Sequence, residues 1–125
     1  MATDQIKEVC PTSTQELIKR GYLLLDIREK KEVEKLSFNV PRLLHIPLSE
    51  LEEKYNQIPK DEIIIVVCTT GERSYRAVSY LKEKGLSNLL NMKKGLEKWV
   101  QKGFPTLGDT SSIPQHACCG DSHCH

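Results

Sequence analysis

Ile63-Ile64-Ile65-Val66-Val67-Cys68-Thr69-Thr70-Gly71-Glu72-Arg73-Ser74 is the stretch whose reading decides the fold. Five consecutive branched apolar residues suit a strand buried on both faces, as in a parallel sheet. Helical periodicity begins after Ser74, with Ala77, Val78 and Leu81 sharing one face. The pattern predicts strand, loop and helix, with Cys68 at the carboxyl end of the strand, where open α/β sheets collect their ligands. Gly71 lets the loop curl, and Ser74 is placed to cap the helix. A thiol held over loop N–H groups, a helix N-terminus and Arg73 is expected to be acidic and to attract anions. Cys68 is therefore a candidate nucleophile acting on an anionic substrate.

Short apolar runs alternate with amphipathic segments on either side of this unit, which predicts an α/β fold. Ile6 to Val9 reads as a short strand. Thr12 or Ser13 is expected to cap a helix, with Glu16 completing a capping box, and Gly21 to end it. Tyr22 to Ile27 reads as a second strand, and Val33 and Leu36 mark a short helix. A loop holding Pro41 and Pro47 follows, with a short strand at Leu44 to Ile46. Ser49 and Glu52 suggest a second capping box, with Leu51 and Tyr55 one turn apart. After Gly85, Leu86 to Met92 is a strand candidate, and Leu96, Trp99 and Val100 define a last helix closed by Gly103 and Pro105. One domain over residues 1–108 is expected. Residues 109–125, rich in Ser, Gly, Cys and His, are expected to form a disordered, flexible tail.

A chain of 125 residues suffices for one domain with a real core and not for two. Its formal charge of +1 offers no global attraction for nucleic acid or an acidic membrane. The pairs Lys30-Lys31 and Lys93-Lys94 sit beside acids and read as solvated surface. No run reaches bilayer length and Met1 to Glu8 lacks a secretory signal, so a cytoplasmic location is expected. In that setting the five cysteines read as reactive or metal-binding residues, not as a disulfide framework.

Four landmarks in order resemble the single-domain rhodaneses, the thiosulfate sulfurtransferases, over about Ile6 to Thr106. Leu24-Leu25-Asp26-Ile27-Arg28-Glu29 is similar to that family's "LLDVRE", and His45-Ile46-Pro47-Leu48-Ser49-Glu50-Leu51 to its "NIPLSEL". Cys68 to Ser74 resembles its active-site loop C-R-x-G-x-R-S, and Gly95-Leu96-Glu97-Lys98-Trp99 with Gly103-Phe104-Pro105 its closing "GGxxxW…GxP". The resemblance implies a central parallel sheet of about five strands with helices on both faces. Three positions depart from the pattern. Phe38-Asn39-Val40-Pro41-Arg42-Leu43 stands where the family has "GHIPGA", Thr69 where arginine is common, and Lys94 where the late motif has its first glycine.

The resemblance also implies a chemistry. Family loops with six residues from Cys to Arg, as from Cys68 to Arg73 here, go with sulfur transfer; loops one residue longer resemble those of arsenate reductases and dual-specificity phosphatases. The physical reason is room: a sulfane sulfur is one atom on the thiol, whereas a tetrahedral oxyanion needs a wider ring of N–H donors. Cys68 is then expected to take a sulfane sulfur from thiosulfate or a persulfide donor and pass it to cyanide or a thiol, a protein's cysteine included. Thr69, Thr70, Gly71, Glu72, Arg73 and Ser74 would bind the substrate, without any cofactor required for catalysis. Arg73 either lies against the loop carbonyls and holds their shape or faces the donor's sulfonate. The rival reading is a noncatalytic sulfur or metal carrier whose domain docks a partner.

Other residues have plainer readings. Asp26 and Arg28 suit a structural pair, Trp99 the core, His45 a structural or exposed position, Cys10 a half-buried packing site, and Tyr75 the surface near the loop. In the tail, His116, Cys118, Cys119, His123, Cys124 and His125 are soft donors that suit zinc or copper. The alternatives are a sulfur relay through Cys118-Cys119 and an incidental terminus.

Overall fold

The computed structural model describes residues 6–108. Expectations for residues 109–125, including the six candidate metal ligands of the tail, lie outside the described residues. In chain order the elements are β1 (Glu8–Val9), α1 (Pro11–Lys19), β2 (Leu23–Asp26), α2 (Lys30–Lys35), β3 (Leu36–Phe38) and β4 (Leu43–His45). A 3-10 turn at Leu48–Glu50 leads into α3 (Leu51–Lys54) and a second such turn at Tyr55–Gln57. Then come β5 (Ile64–Val67), α4 (Glu72–Glu83), β6 (Leu89–Met92), α5 (Gly95–Gln101) and β7 (Thr106–Gly108).

Five strands form a parallel sheet in the order β1-β6-β5-β2-β4. From β2 the chain runs outward to β4, and from β5 it runs the other way to β6. The carboxyl ends of β2 and β5 thus flank the point where the winding reverses, and Cys68 follows β5 there. Strand alternation separates two apolar clusters. Leu23, Leu25, Ile64 and Val66 pack with Leu51, Ala77, Val78 and Leu81 of α3 and α4. Leu24, Ile65, Val67 and Met92 pack with Ile18 of α1 and Leu96, Trp99 and Val100 of α5. Helices therefore cover both faces, as the alternating pattern implies. Trp99 is wholly buried, with edge-on contacts to Phe38 and Phe104 at 5.2 and 5.1 Å, and its indole N–H donates to the Pro105 carbonyl at 2.8 Å.

Several local expectations are corrected. Helix α1 starts at Pro11 behind Cys10, because proline at the first helical position needs no N–H partner. The Thr14 hydroxyl there donates to the Cys10 carbonyl, and Cys10 is fully buried, not half-buried. Ser49 lies in the 3-10 turn and its hydroxyl donates to Glu29 Oε1 at 2.9 Å instead of opening a capping box with Glu52. Leu36 belongs to β3, which pairs antiparallel with β7. That two-stranded ribbon joins three-residue segments far apart in sequence, too short to show alternation. The divergent Phe38 to Leu43 stretch leaves β3 for β4, with the Arg42 guanidinium donating to the Gly21 carbonyl at 2.8 Å.

At the end of β2, Arg28 is 2% exposed and Asp26 fully buried, joined through Nη2 and Oδ2 at 2.9 Å. Arg28 Nη2 also donates to the Leu36 carbonyl at 2.8 Å, and the Arg28 backbone N–H to Asp26 Oδ1 at 3.0 Å. His45, half-buried, meets the Arg28 carbonyl through Nε2 at 2.7 Å. The pair is structural: it ties β2 to the start of β3 and so sets where α2 lies. Removing one partner strands the other charge in the core. Asp26→Asn is expected to lower unfolding stability by about 3–5 kcal/mol. A denaturant midpoint equal to the parent's would contradict that.

Candidate active site

The loop after β5 is shaped by a change of backbone hand. Gly71 has φ +99°, and α4 begins at the next residue. Gly71, not Ser74, is therefore the residue before the helix, and Ser74 sits inside the first turn. That position turns the Ser74 side chain and N–H inward. Cys68 is fully buried, and its Sγ accepts the N–H of Gly71 at 3.0 Å and of Ser74 at 3.3 Å. The Ser74 hydroxyl stands 3.4 Å from the same sulfur. Two amides that a helix start leaves without intrahelical partners thus converge on one sulfur atom.

Helix α5 holds the loop from behind. Its Leu96 N–H donates to the Cys68 carbonyl at 2.8 Å and its Glu97 N–H to the Thr69 carbonyl at 3.0 Å. So close an approach requires glycine at position 95, where a Cβ would lie 2.4 Å from the Cys68 carbonyl oxygen. Lys94, just before it, has φ +67°, a left-handed conformation that costs a side-chain-bearing residue roughly 1–2 kcal/mol. Its backbone nitrogen would be 2.9 Å from a Cβ on Gly71, so the two turns press against each other.

Arg73 finds its main partner outside the loop. Its guanidinium grips Glu32 of α2 through two bonds of 2.9 Å each and reaches Thr69 Oγ1 at 3.3 Å. Hydrogen bonding from Arg73 holds the Glu32 carboxyl below its ordinary 4.5, against a smaller opposing effect of burial. The same bond to Glu32 holds Arg73 more firmly protonated. Nothing in the sequence singles out Glu32, because its partner lies 41 residues away. Asn91 of β6 is silent in the sequence for a similar reason: a lone amide in an apolar strand carries no motif. It is fully buried and bonded to Ser74, Gly71 and Glu8.

Thr70, Gly71, Glu72 and Tyr75 border a cleft of about 400 Å³, completed by Glu8, Arg76, Lys93 and Lys94. Lys93 and Lys94, read from sequence as solvated surface, stand at its rim. Tyr75 is 44% exposed, as expected of a surface residue beside the loop. A second cavity of about 480 Å³ lies against Ile6, Ser79, Lys82, Gly85 and Ser87, at the far end of α4 from the loop. Among the described residues, no group of three or more His, Cys, Asp or Glu side chains is placed to hold a metal ion. No helix among them is long and apolar enough to cross a membrane.

A loop of this kind at the end of a central parallel strand defines a class, and comparison with known proteins agrees. The rhodanese-like domain family matches residues 11–102, and the chain belongs to that family. It is 34% identical over 85 residues to a sulfurtransferase of Allochromatium vinosum, a match covering 68% of this chain and 78% of that protein. The thiosulfate sulfurtransferase GlpE of Pseudomonas syringae is 27% identical over 95 residues, with 76% of this chain and 88% of that one covered. Among solved structures, a rhodanese-related protein from Thermoplasma volcanium superposes with a TM-score of 0.73 at 31% identity, over 82% of this chain and 99% of that one.

Two consequences are measurable. Gly95→Ala should push α5 off the Cys68 and Thr69 carbonyls, lower stability by about 1–3 kcal/mol and deprotect the Leu96 and Glu97 amides in hydrogen exchange. Unchanged protection would mean that the backbone absorbs the methyl group. The Glu32–Arg73 tie has a defined pH dependence. Because the folded-state carboxyl titrates below its unfolded value, its stabilisation is fully present above the ordinary carboxylate range and is lost as pH falls through the depressed folded value. Parent and Glu32→Gln proteins should therefore differ most in stability near neutral pH and converge only once pH has fallen through that depressed value. A gap that persists in acid would refute this.

Proposed function

We propose that this protein is a sulfurtransferase with Cys68 as its sulfur carrier. One observation carries the reading: Cys68 Sγ lies at the end of the central strand with the N–H groups of Gly71 and Ser74 directed at it. Fixed amide dipoles of that kind favour a charged sulfur, whether thiolate or persulfide, and need no reorganisation as charge shifts. The family membership and relatives named as sulfurtransferases support the same chemistry.

The reaction is a double displacement. The Cys68 thiolate attacks the outer sulfur of thiosulfate; the donor's S–S bond breaks, sulfite leaves with the electron pair, and a Cys68 persulfide forms. An acceptor thiolate then attacks the outer sulfur of that persulfide, becomes a persulfide itself and returns Cys68 as thiolate. Each half exchanges one sulfur–sulfur bond for another, so the electrons balance without a redox cofactor. Cyanide as acceptor would leave as thiocyanate.

The surrounding residues divide the work. Gly71 and Ser74 hold the charged sulfur, Thr69 and Arg73 brace the loop through Glu32, and Gly95 seats it on α5. Thr70 and Glu72 edge the cleft, where Arg76, Lys93 and Lys94 supply positive charge for an anionic donor. Arg73 serves shape more than donor binding in this scheme, because both of its terminal nitrogens are engaged by Glu32. Six loop residues leave the bowl too narrow for a tetrahedral phosphoryl group, so phosphatase turnover is not part of the proposal.

The test is direct. Protein incubated with thiosulfate should gain one sulfur on the Cys68 peptide by mass spectrometry and lose it on adding cyanide. Cys68→Ser should abolish both steps while keeping the parent's melting temperature, since serine preserves the volume. Full turnover in that variant, or aryl phosphate hydrolysis exceeding sulfur transfer, would overturn the reading.

A further inference from the structure

Strand β6 reads Leu89-Leu90-Asn91-Met92, and Asn91 is wholly buried within it. A buried amide left unpaired costs about 1–3 kcal/mol, so its partners say why it is there. The Asn91 Oδ1 accepts the Ser74 hydroxyl in a short hydrogen bond. Its Nδ2 donates to the Gly71 carbonyl at 3.3 Å and to Glu8 Oε2 at 2.9 Å. Gly71 and Ser74 are the same two residues whose N–H groups meet the Cys68 sulfur. Glu8 lies directly across from Asn91 in the β1–β6 register.

We propose that Asn91, oriented by Glu8, is a positioning residue for the Cys68 sulfur. By holding Gly71 through its carbonyl and Ser74 through its hydroxyl, it fixes the two residues whose own N–H groups point at the sulfur. On its face of β6 the neighbouring position is Leu89, part of the apolar core, whereas Asn91 is bonded to Ser74, Gly71 and Glu8. The amide therefore serves the loop and not the core. A chain of polar contacts then runs from the exposed edge strand, Glu8–Asn91–Ser74–Cys68, and the reactivity of a buried thiol depends on a carboxylate at the rim of the cleft. The inference rests on Cys68 as the reacting group, and it is separable from what Cys68 reacts with.

The experiment reads the thiol itself. Alkylation of Cys68 by iodoacetamide, followed by mass spectrometry of its peptide, needs no sulfur donor. In Asn91→Leu this rate should fall about tenfold, the equivalent of one hydrogen bond to a charged group. Thiosulfate turnover should fall by a similar factor in kcat, with KM within about twofold because the cleft cations are untouched. The double variant Asn91→Leu/Ser74→Ala should lose clearly less than the product of the two single losses, because both remove the Asn91–Ser74 contact and only Asn91→Leu also releases Gly71. Fully additive losses, or a parental alkylation rate in Asn91→Leu, would overturn the proposal. Glu8→Ala, on the exposed edge and outside the core, tests the same chain should Asn91→Leu not fold. Alkylation slowed about twofold to threefold at an unchanged melting temperature supports it, and an unchanged rate overturns it. Slower alkylation in Asn91→Leu stands as support even if the parent protein shows no thiosulfate turnover, an outcome that would count against sulfur transfer alone.

Discussion

The contact between Gly95 and the Cys68 carbonyl is the constraint on which the rest of the site depends. A loop that presents backbone N–H groups to a ligand must find acceptors and donors for its other polar atoms, or it collapses onto itself. The carbonyls of Cys68 and Thr69 solve this by receiving the first N–H groups of α5. Glycine is the only residue whose backbone approaches that closely without a clash. With its carbonyls held from behind, the loop is free to turn its amides toward the sulfur.

The charges near the loop follow the same economy of partners. Arg73, the one cation inside the loop, is spent on Glu32 and so links the loop to α2. Helix α2 is in turn placed by Arg28, whose guanidinium joins Asp26 in β2 to the first carbonyl of β3. A series of ion pairs, one buried and one half-exposed, therefore connects the ends of β2 and β5. The cations at the edge of the cleft are Arg76, Lys93 and Lys94. Lys94 takes that place in a left-handed backbone conformation that ordinarily favours glycine.

Membership of the rhodanese-like family explains why a short chain commits so much of its backbone to one cysteine. The fold supplies the strand end, and the loop and its two neighbouring turns supply everything else. The chain's departures from the family pattern fall at the margins of the bowl. The Phe38 to Leu43 stretch completes a crossover to β4, and Thr69 accepts a bond from Arg73 where a second arginine is common. The sulfur and its amide donors are unaffected by either.

By itself the sequence determined the α/β class, the central strand and the placing of Cys68 at its carboxyl end. Those features are local: a five-residue branched run, a glycine-bearing loop and a helical stripe from Ala77 to Leu81 are legible within twenty residues. Trp99 and the Asp26–Arg28 pair were legible too, from helical spacing and from charges two residues apart. The tertiary structure alone decided what each polar group meets. Glu32 reaches Arg73, Asn91 reaches Ser74, and β3 finds β7 only because the sheet order brings distant segments together. Even the start of α4 was decided this way. Ser74 has the chemistry of a cap, but Gly71, so close to the β6–α5 turn that no Cβ fits, is the left-handed residue before the helix, three positions earlier. Periodicity is written along the chain, whereas a hydrogen bond between residues far apart depends on the distance that folding closes.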